Sequence, residues 1–188
     1  MKVYLLDTNI ASALWDEGDE HHDDALEFAR NAAASGDVLY VSRITIAEIE
    51  YGYELYTSKD PNRRRKAEAN MRAFTRIKDI DENTTQPYAK IRAELYRQHA
   101  PKKPSGKIKN VRPERLIDKT TGADLGIQEN DLWIAAIAVE YNMILVSDDR
   151  MQHIKDACPN LKIIKWKRPP APPSTSTSIP PTTPPSSP

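Results

Sequence analysis

Glu129-Asn130-Asp131-Leu132-Trp133-Ile134-Ala135-Ala136-Ile137-Ala138-Val139-Glu140-Tyr141-Asn142-Met143-Ile144-Leu145-Val146-Ser147-Asp148-Asp149 is the stretch that decides the fold. It reads as a helix that is apolar nearly all round, a short turn, and a strand without alternation. A helix lacking a polar stripe must be covered on most sides, and an unbroken apolar strand is buried on both faces. The middle of an α/β layer meets both demands. The polar residues stand at the ends of the stretch. Asn130 and Asp131 open the helix, where free N–H groups and the dipole favour a carboxylate. Asp148 and Asp149 close the strand, at the end where ligands of open α/β sheets gather.

Working outward, Val3-Tyr4-Leu5-Leu6 predicts a second buried strand, halted at Asp7-Thr8-Asn9 and followed by a short helix through Ile10 to Trp15. A helix over 23–34 carries Leu26, Ala29 and Ala33 on one face and stops at Gly36. Residues 38–42 form a strand, and Ser42 can cap a helix over 44–55 that carries Glu48. Asp60-Pro61 supplies a cap and a first-turn proline for a helix from about 62 to 78, basic at Arg63, Arg64, Arg65 and Lys66. Another helix runs from about Thr85 to Gln98. Residues 161–166 make a plausible last strand. Strands alternating with helices imply an α/β fold, a largely parallel sheet with helices on both faces.

Between the last two helices, residues 101–113 are basic, rich in proline and without period, a loop of the kind that is functional or mobile. Beyond Arg168 the chain is almost wholly proline, serine and threonine, too poor in apolar surface to offset its ordering entropy. The expected organisation is one domain over 1–167, with a basic loop insertion at 101–113 and a disordered tail over 168–188.

Composition narrows the function classes. The 188 residues are 39% hydrophobic, enough for a real core. No run is long and apolar enough to span a membrane, and the N-terminus turns acidic too soon for a signal peptide. Cys158 stands alone, which excludes a disulfide framework and a cysteine metal site and fits a cytoplasmic protein. Charges balance at 27 basic and 27 acidic but are unevenly placed. Residues 1–60 hold 4 basic and 13 acidic side chains, whereas residues 61–120 hold 17 and 7. An acidic portion beside a basic one suits a metal site that takes a polyanionic substrate, although solvated helix faces account for many of these charges.

Four acids fall where strands end or helices begin: Asp7, Glu48, Asp131 and Asp149. Each has an ordinary structural use as well. Asp7 and Asp149 can cap the helices after their strands, and Asp131 can complement a helix dipole. Glu48, inside a helix, needs a partner if its side is buried. Gathered at one sheet end, carboxylates repel when dry and so usually bind a cation. Oxygen ligands without neighbouring histidine or cysteine select Mg²⁺ or Mn²⁺ over Zn²⁺. The chemistry that follows is metal-assisted phosphodiester hydrolysis.

Taken together, Leu5-Leu6-Asp7-Thr8-Asn9, Ala47-Glu48-Ile49 with Gly52, Asn130-Asp131-Leu132-Trp133-Ile134-Ala135-Ala136 and Leu145-Val146-Ser147-Asp148-Asp149 resemble the PIN-domain family, in its order and over residues 1 to about 166. The resemblance is closest to the VapC-type ribonuclease toxins of bacterial toxin–antitoxin pairs. It implies a Rossmann-like α/β fold, a Mg²⁺- or Mn²⁺-dependent endoribonuclease acting on RNA, a homodimer and a cognate antitoxin that blocks the site. Carried over by position, Asp7, Glu48, Asp131 and Asp149 are the catalytic metal-site acids, with Asn9 and Ser147 as polar neighbours. The basic loop and the proline-rich tail depart from the compact pattern of the family.

Other readings remain open on the residues. A DNA-directed nuclease could use the same acids, and a non-catalytic RNA-binding module could hold a structural ion there. Arg63, Arg64, Lys102, Lys103, Lys107 and Lys109 are candidates for RNA backbone contact. Tyr51, Tyr53 and Tyr56 could stack on bases or serve the core. His21-His22-Asp23-Asp24 looks like a metal cluster, but adjacent helical positions do not face one another. It reads as a solvated helix start.

Overall fold

The computed structural model describes residues 1–55, 60–148 and 151–166. Asp149, Tyr56 and the 168–188 tail lie outside the described residues. Five strands, β1 (Val3–Leu6), β2 (Val38–Ser42), β3 (Ile77–Lys78), β4 (Ile144–Ser147) and β5 (Lys162–Lys165), form one sheet in the order β3-β2-β1-β4-β5. Every pairing is parallel. The helices are α1 (Thr8–Trp15), α2 (His22–Ala34), α3 (Arg43–Leu55), α4 (Pro61–Ala73), α5 (Thr85–His99), α6 (Glu129–Glu140) and α7 (Gln152–Ala157).

From β1 the chain steps outward to β2 and β3, then crosses back to build β4 and β5 on the other side. The order therefore reverses between β1 and β4, and such a reversal leaves a crevice beyond the strand carboxyl ends. Alternation along each strand splits the core. Tyr4, Leu6, Leu39, Val41 and Val146 pack with Ile10, Trp15, Ala25, Ile46, Ile49 and Met71 of α1 to α4. Leu5 and Leu145 pack with Ile91, Leu95, Leu132, Ile134 and Ile154 of α5, α6 and α7. Helices thus cover both faces, as the sequence predicts.

The organising stretch behaves as read. Leu132 and all five residues from Ile134 to Ala138 are buried, and β4 is buried from Leu145 to Ser147. Asn142 takes a left-handed conformation (φ 53°) just past α6. There the Asn142 N–H meets the Val139 carbonyl and the Met143 N–H the Ala138 carbonyl, which satisfies two orphan carbonyls and turns the chain into β4.

Two features differ from expectation. The helix predicted to reach residue 78 ends at Ala73, where Phe74 turns extended and its ring packs on Trp15, 5.7 Å between centroids. The next residues become edge strand β3, with Val41 N–H bonded to the Arg76 carbonyl. The basic segment after α5 carries regular pairing. Lys102 and Ile108 bridge antiparallel, with Lys103 N–H on the Lys107 carbonyl and a left-handed Gly106 in the turn. A second bridge, Ile117 to Asp124, follows a short 3-10 turn at Pro113–Arg115. Buried Leu116, Leu125 and Ile127 pin this connection to the α5–α6 core. Among the described residues, no helix is long and apolar enough to cross a membrane.

Candidate active site

Asp7 is placed by β1. Its backbone N–H extends the ladder to the Val146 carbonyl of β4, so the residue sits at the mouth of the crevice between the two strands. Its carboxylate has two visible duties. Oδ1 accepts the Thr8 N–H at 2.8 Å and caps α1, while Oδ2 accepts the Ser147 hydroxyl at 2.5 Å. The capping role foreseen for Asp7 is therefore real, and it leaves the second oxygen directed to the other strand.

Glu48 comes from the second turn of α3. It is half-buried and has the partners that its position demands. Thr8 Oγ1 donates to Oε2, and Asn130 Nδ2 donates to Oε1 at 2.8 Å. Asp131 lies in the first turn of α6, where its Oδ2 accepts the Gln128 N–H at 2.7 Å. That bond satisfies a free donor at the helix start. Asp7, Glu48 and Asp131 line one open cavity of about 1030 Å³, together with Thr8, Asn9, Ser12, Tyr51, Tyr53, Gly126, Gln128 and Asn130. Three elements that are distant in sequence thus bring their acids to one place, at the carboxyl edge of the sheet.

Asn9 also lines this cavity, and its Oδ1 is buried without a hydrogen-bond partner among the described residues. Ser147, at the end of β4, is buried against Asp7. Asp148 is half-buried, and Asp149 lies outside the described residues. Among the described residues, no group of three or more histidine, cysteine, aspartate or glutamate side chains is drawn together tightly enough to hold a metal ion. The three acids are held by hydroxyl, amide and backbone donors instead.

Thr8 and Asn130 are the members that sequence reasoning did not assign to the site. Both stand beside acids that it did assign, but their shared partner Glu48 is 40 and 82 residues away. Their adjacency to Asp7 and Asp131 was the available signal. Tyr51 and Tyr53 line the cavity wall, with Tyr51 65% exposed. Trp133 stacks on Tyr88, 3.7 Å between centroids and 8° between planes. His22 Nδ1 meets the Ala13 carbonyl, and His21 packs edge-on against Trp166.

The two basic candidates differ in their surroundings. Arg63 makes a bidentate pair with Asp16, Arg64 pairs with Glu68 and Glu54, and Lys66 pairs with Glu17. The side chains of Lys102, Lys103, Lys107 and Lys109 are exposed and enter none of the ion pairs found among the described residues.

Comparison with known proteins adds the family. The PIN domain model matches residues 4–157. Solved structures with the same fold include VapBC2 from Rickettsia felis bound to a promoter DNA fragment, 24% identical, covering 88% of this chain and 99% of that one at a TM-score of 0.57. DNA-bound VapBC from Salmonella typhimurium is 22% identical, covering 89% and 100% at 0.54. VapBC-5 from Mycobacterium tuberculosis is 16% identical, covering 88% and 99% at 0.51. A search of curated proteins returned no match.

Proposed function

The chain belongs to the PIN domain family, and from that premise we propose that it is a metal-dependent endoribonuclease, the toxin member of a VapBC-type toxin–antitoxin pair. The observation that carries the reading is the meeting of Asp7, Glu48 and Asp131 in one cavity at the carboxyl edge of the sheet. The similar solved structures are VapBC complexes, which supports an antitoxin as the protein partner. A homodimer and a cytoplasmic setting belong to the same proposal.

By donor type, the residues of the cavity suit a hard divalent cation. The donors are carboxylate oxygens, and the buried Asn9 Oδ1 in the same cavity lacks a hydrogen-bond partner among the described residues. Asp7, Glu48 and Asp131 would hold the ion, with Asp149 as the fourth acid. Such an oxygen set suits Mg²⁺ or Mn²⁺. Bound there, the ion would polarise the scissile phosphate and lower the pKa of a coordinated water.

The chain's own contribution is orientation. Ser147 and the Thr8 N–H fix the plane of the Asp7 carboxylate, while Thr8 Oγ1 and Asn130 fix Glu48. Both carboxylates are thus held by donors that are themselves anchored at strand or helix ends, which is what a site needs to meet phosphate without reorganising.

The test is cleavage of RNA and DNA of the same sequence by the purified protein with Mg²⁺, with chelator and with Asp7→Asn as controls. RNA cleavage lost in both controls supports the proposal. Preferential DNA cleavage would make the chain a DNA-directed nuclease. RNA binding without turnover, unaltered by Asp7→Asn, would make it a binding module.

A further inference from the structure

On the ribonuclease reading the cavity would take the scissile phosphate, while its acids, Asp7, Glu48 and Asp131, repel the phosphates on either side. Cations must therefore lie farther along the track. The course of α5 shows where. Thr84 hydrogen-bonds Glu140 at the far end of α6, Tyr88 stacks on Trp133, and Arg92 reaches Glu129 at 2.5 Å. The two helices are therefore antiparallel, and α5 runs past the first turn of α6 toward the site end of the sheet. Its last residue, His99, meets His153 of α7, 5.2 Å between ring centroids, in the helix that follows β4.

The chain then enters the paired segment 101–109, so this hairpin rises from the same edge of the sheet as Asp7 and Asp131. The other end of the α5–α6 connection supplies Gly126 and Gln128 to the cavity wall. Leu116, Leu125 and Ile127 anchor the connection between these two ends in the core. The hairpin is held by backbone bonds, Lys103 N–H to Lys107 carbonyl and Lys109 N–H to Pro101 carbonyl, both 2.8 Å. Among the described residues its lysine side chains enter no ion pair, unlike Arg63, Arg64 and Lys66 of α4.

We propose that the 101–109 hairpin is a backbone clamp for the RNA strand whose scissile phosphate enters the acidic cavity, with Lys102, Lys103, Lys107 and Lys109 contacting phosphates beyond it. The proposal rests on the ribonuclease reading and deepens it by naming the surface that holds the strand. Point charges on flexible stems take phosphate without reading bases. The clamp sets affinity and leaves cleavage position to the cavity.

The full-length chain is titrated with a labelled single-stranded RNA over a range of salt, in chelator so that nothing is cut. Replacing all four lysines with glutamine weakens binding and flattens the plot of log affinity against log salt. The loss is about 0.7 in slope for each phosphate contact, up to roughly 2.8 for four. Replacing the same four with arginine keeps the slope, and an unchanged circular dichroism melt shows that the glutamine variant is folded. An unaltered slope in that folded variant overturns the proposal. So does an unaltered slope with a weaker dimer in sedimentation, which would make the hairpin, with its exposed Ile108, a protein interface. The nuclease reading is tested apart, by wild-type turnover with Mg²⁺. If turnover is absent while the slope still depends on the lysines, the clamp stands and only the nuclease reading falls.

Discussion

Ser147 donates a 2.5 Å hydrogen bond to the Asp7 carboxylate across the β1–β4 crevice, and the two residues are 1% and 2% exposed. A carboxylate so enclosed is expensive unless hydrogen-bonded. The bond joins strand ends 140 residues apart, so fold and site share it. Ser147→Ala should lower stability by about 1.5–3 kcal/mol at neutral pH, the range for a bond to a charged group, and by about 1 kcal/mol in an Asp7→Asn background. Urea unfolding of the four proteins gives the coupling directly. Equal losses in both backgrounds would show that the bond does not sense the charge on Asp7.

Asp7 and Asp131 each do a structural job and a proposed catalytic one, and substitution can separate the two. Asparagine caps a helix about as well as aspartate, whereas alanine costs about 0.5–2 kcal/mol. Asp7→Asn should keep the Thr8 N–H bond and Asp131→Asn the bond from Gln128 N–H. Both asparagine variants should melt near wild type yet cleave no RNA, while both alanine variants should lose stability as well. Near-native turnover by either asparagine variant with Mg²⁺ would remove that residue from the site.

Much of this arrangement is legible because it depends on short-range rules. Val3–Leu6 and Ile144–Ser147 announce buried parallel strands by lacking alternation, and a parallel sheet must put its strand ends on one edge. That puts Asp7 and Ser147 on the same edge, and the pairing of β1 with β4, which the sequence does not display, makes them neighbours. Glu48 follows, since its helix begins where β2 ends. What the sequence does not display are decisions taken by packing. Nothing in Phe74-Thr75-Arg76-Ile77-Lys78 rivals the preceding helical run, yet Phe74 turns in against Trp15 and the edge of β2 captures Ile77 and Lys78. Leu116, Leu125 and Ile127 fit no period, so their burial beneath a proline-rich basic segment is invisible before the fold closes. The ion pairs of Arg63 with Asp16 and of Lys66 with Glu17 span 47 and 49 residues, and only tertiary structure reveals them.

Those pairs lead to a contrast with the hairpin. Burial works to raise the Asp16 pKa, but hydrogen bonds from Arg63 and the Gly18 N–H, with the guanidinium charge, hold the carboxyl below its ordinary value. This contribution is complete at neutral pH and is lost only in acid, as the pH falls through the depressed value. With side chains 44% and 22% exposed, the pair is worth at most about 1 kcal/mol. Arg63→Gln should therefore move the urea midpoint slightly and leave the salt dependence of RNA binding unchanged. A flattened salt slope in this variant would show that Arg63 leaves Asp16 to hold phosphate.

His99, at the end of α5, gives the fold a pH dependence of definite sign. Its pKa lies below the ordinary value because burial disfavours the charged ring and His153 of α7 repels it. Lys119 adds to the repulsion, whereas Asp118 and a hydrogen bond to the Ile117 backbone oppose the shift without cancelling it. A free histidine titrates near 6.5, so between the folded value and that point the unfolded chain binds more protons. Stability then rises with pH in this window. It is fully present above about 6.5 and falls as the pH drops toward the folded pKa, below which the whole penalty has been taken. His99→Gln removes the ionisable ring, so its unfolding free energy should decline less than wild type's between neutral and mildly acidic pH. The difference should vanish above neutrality, apart from a constant offset for lost packing. Urea titrations of both proteins at several pH values across this window measure it. Parallel curves would mean that the ring is as easily protonated folded as unfolded, and that the contact with His153 exerts no electrostatic effect.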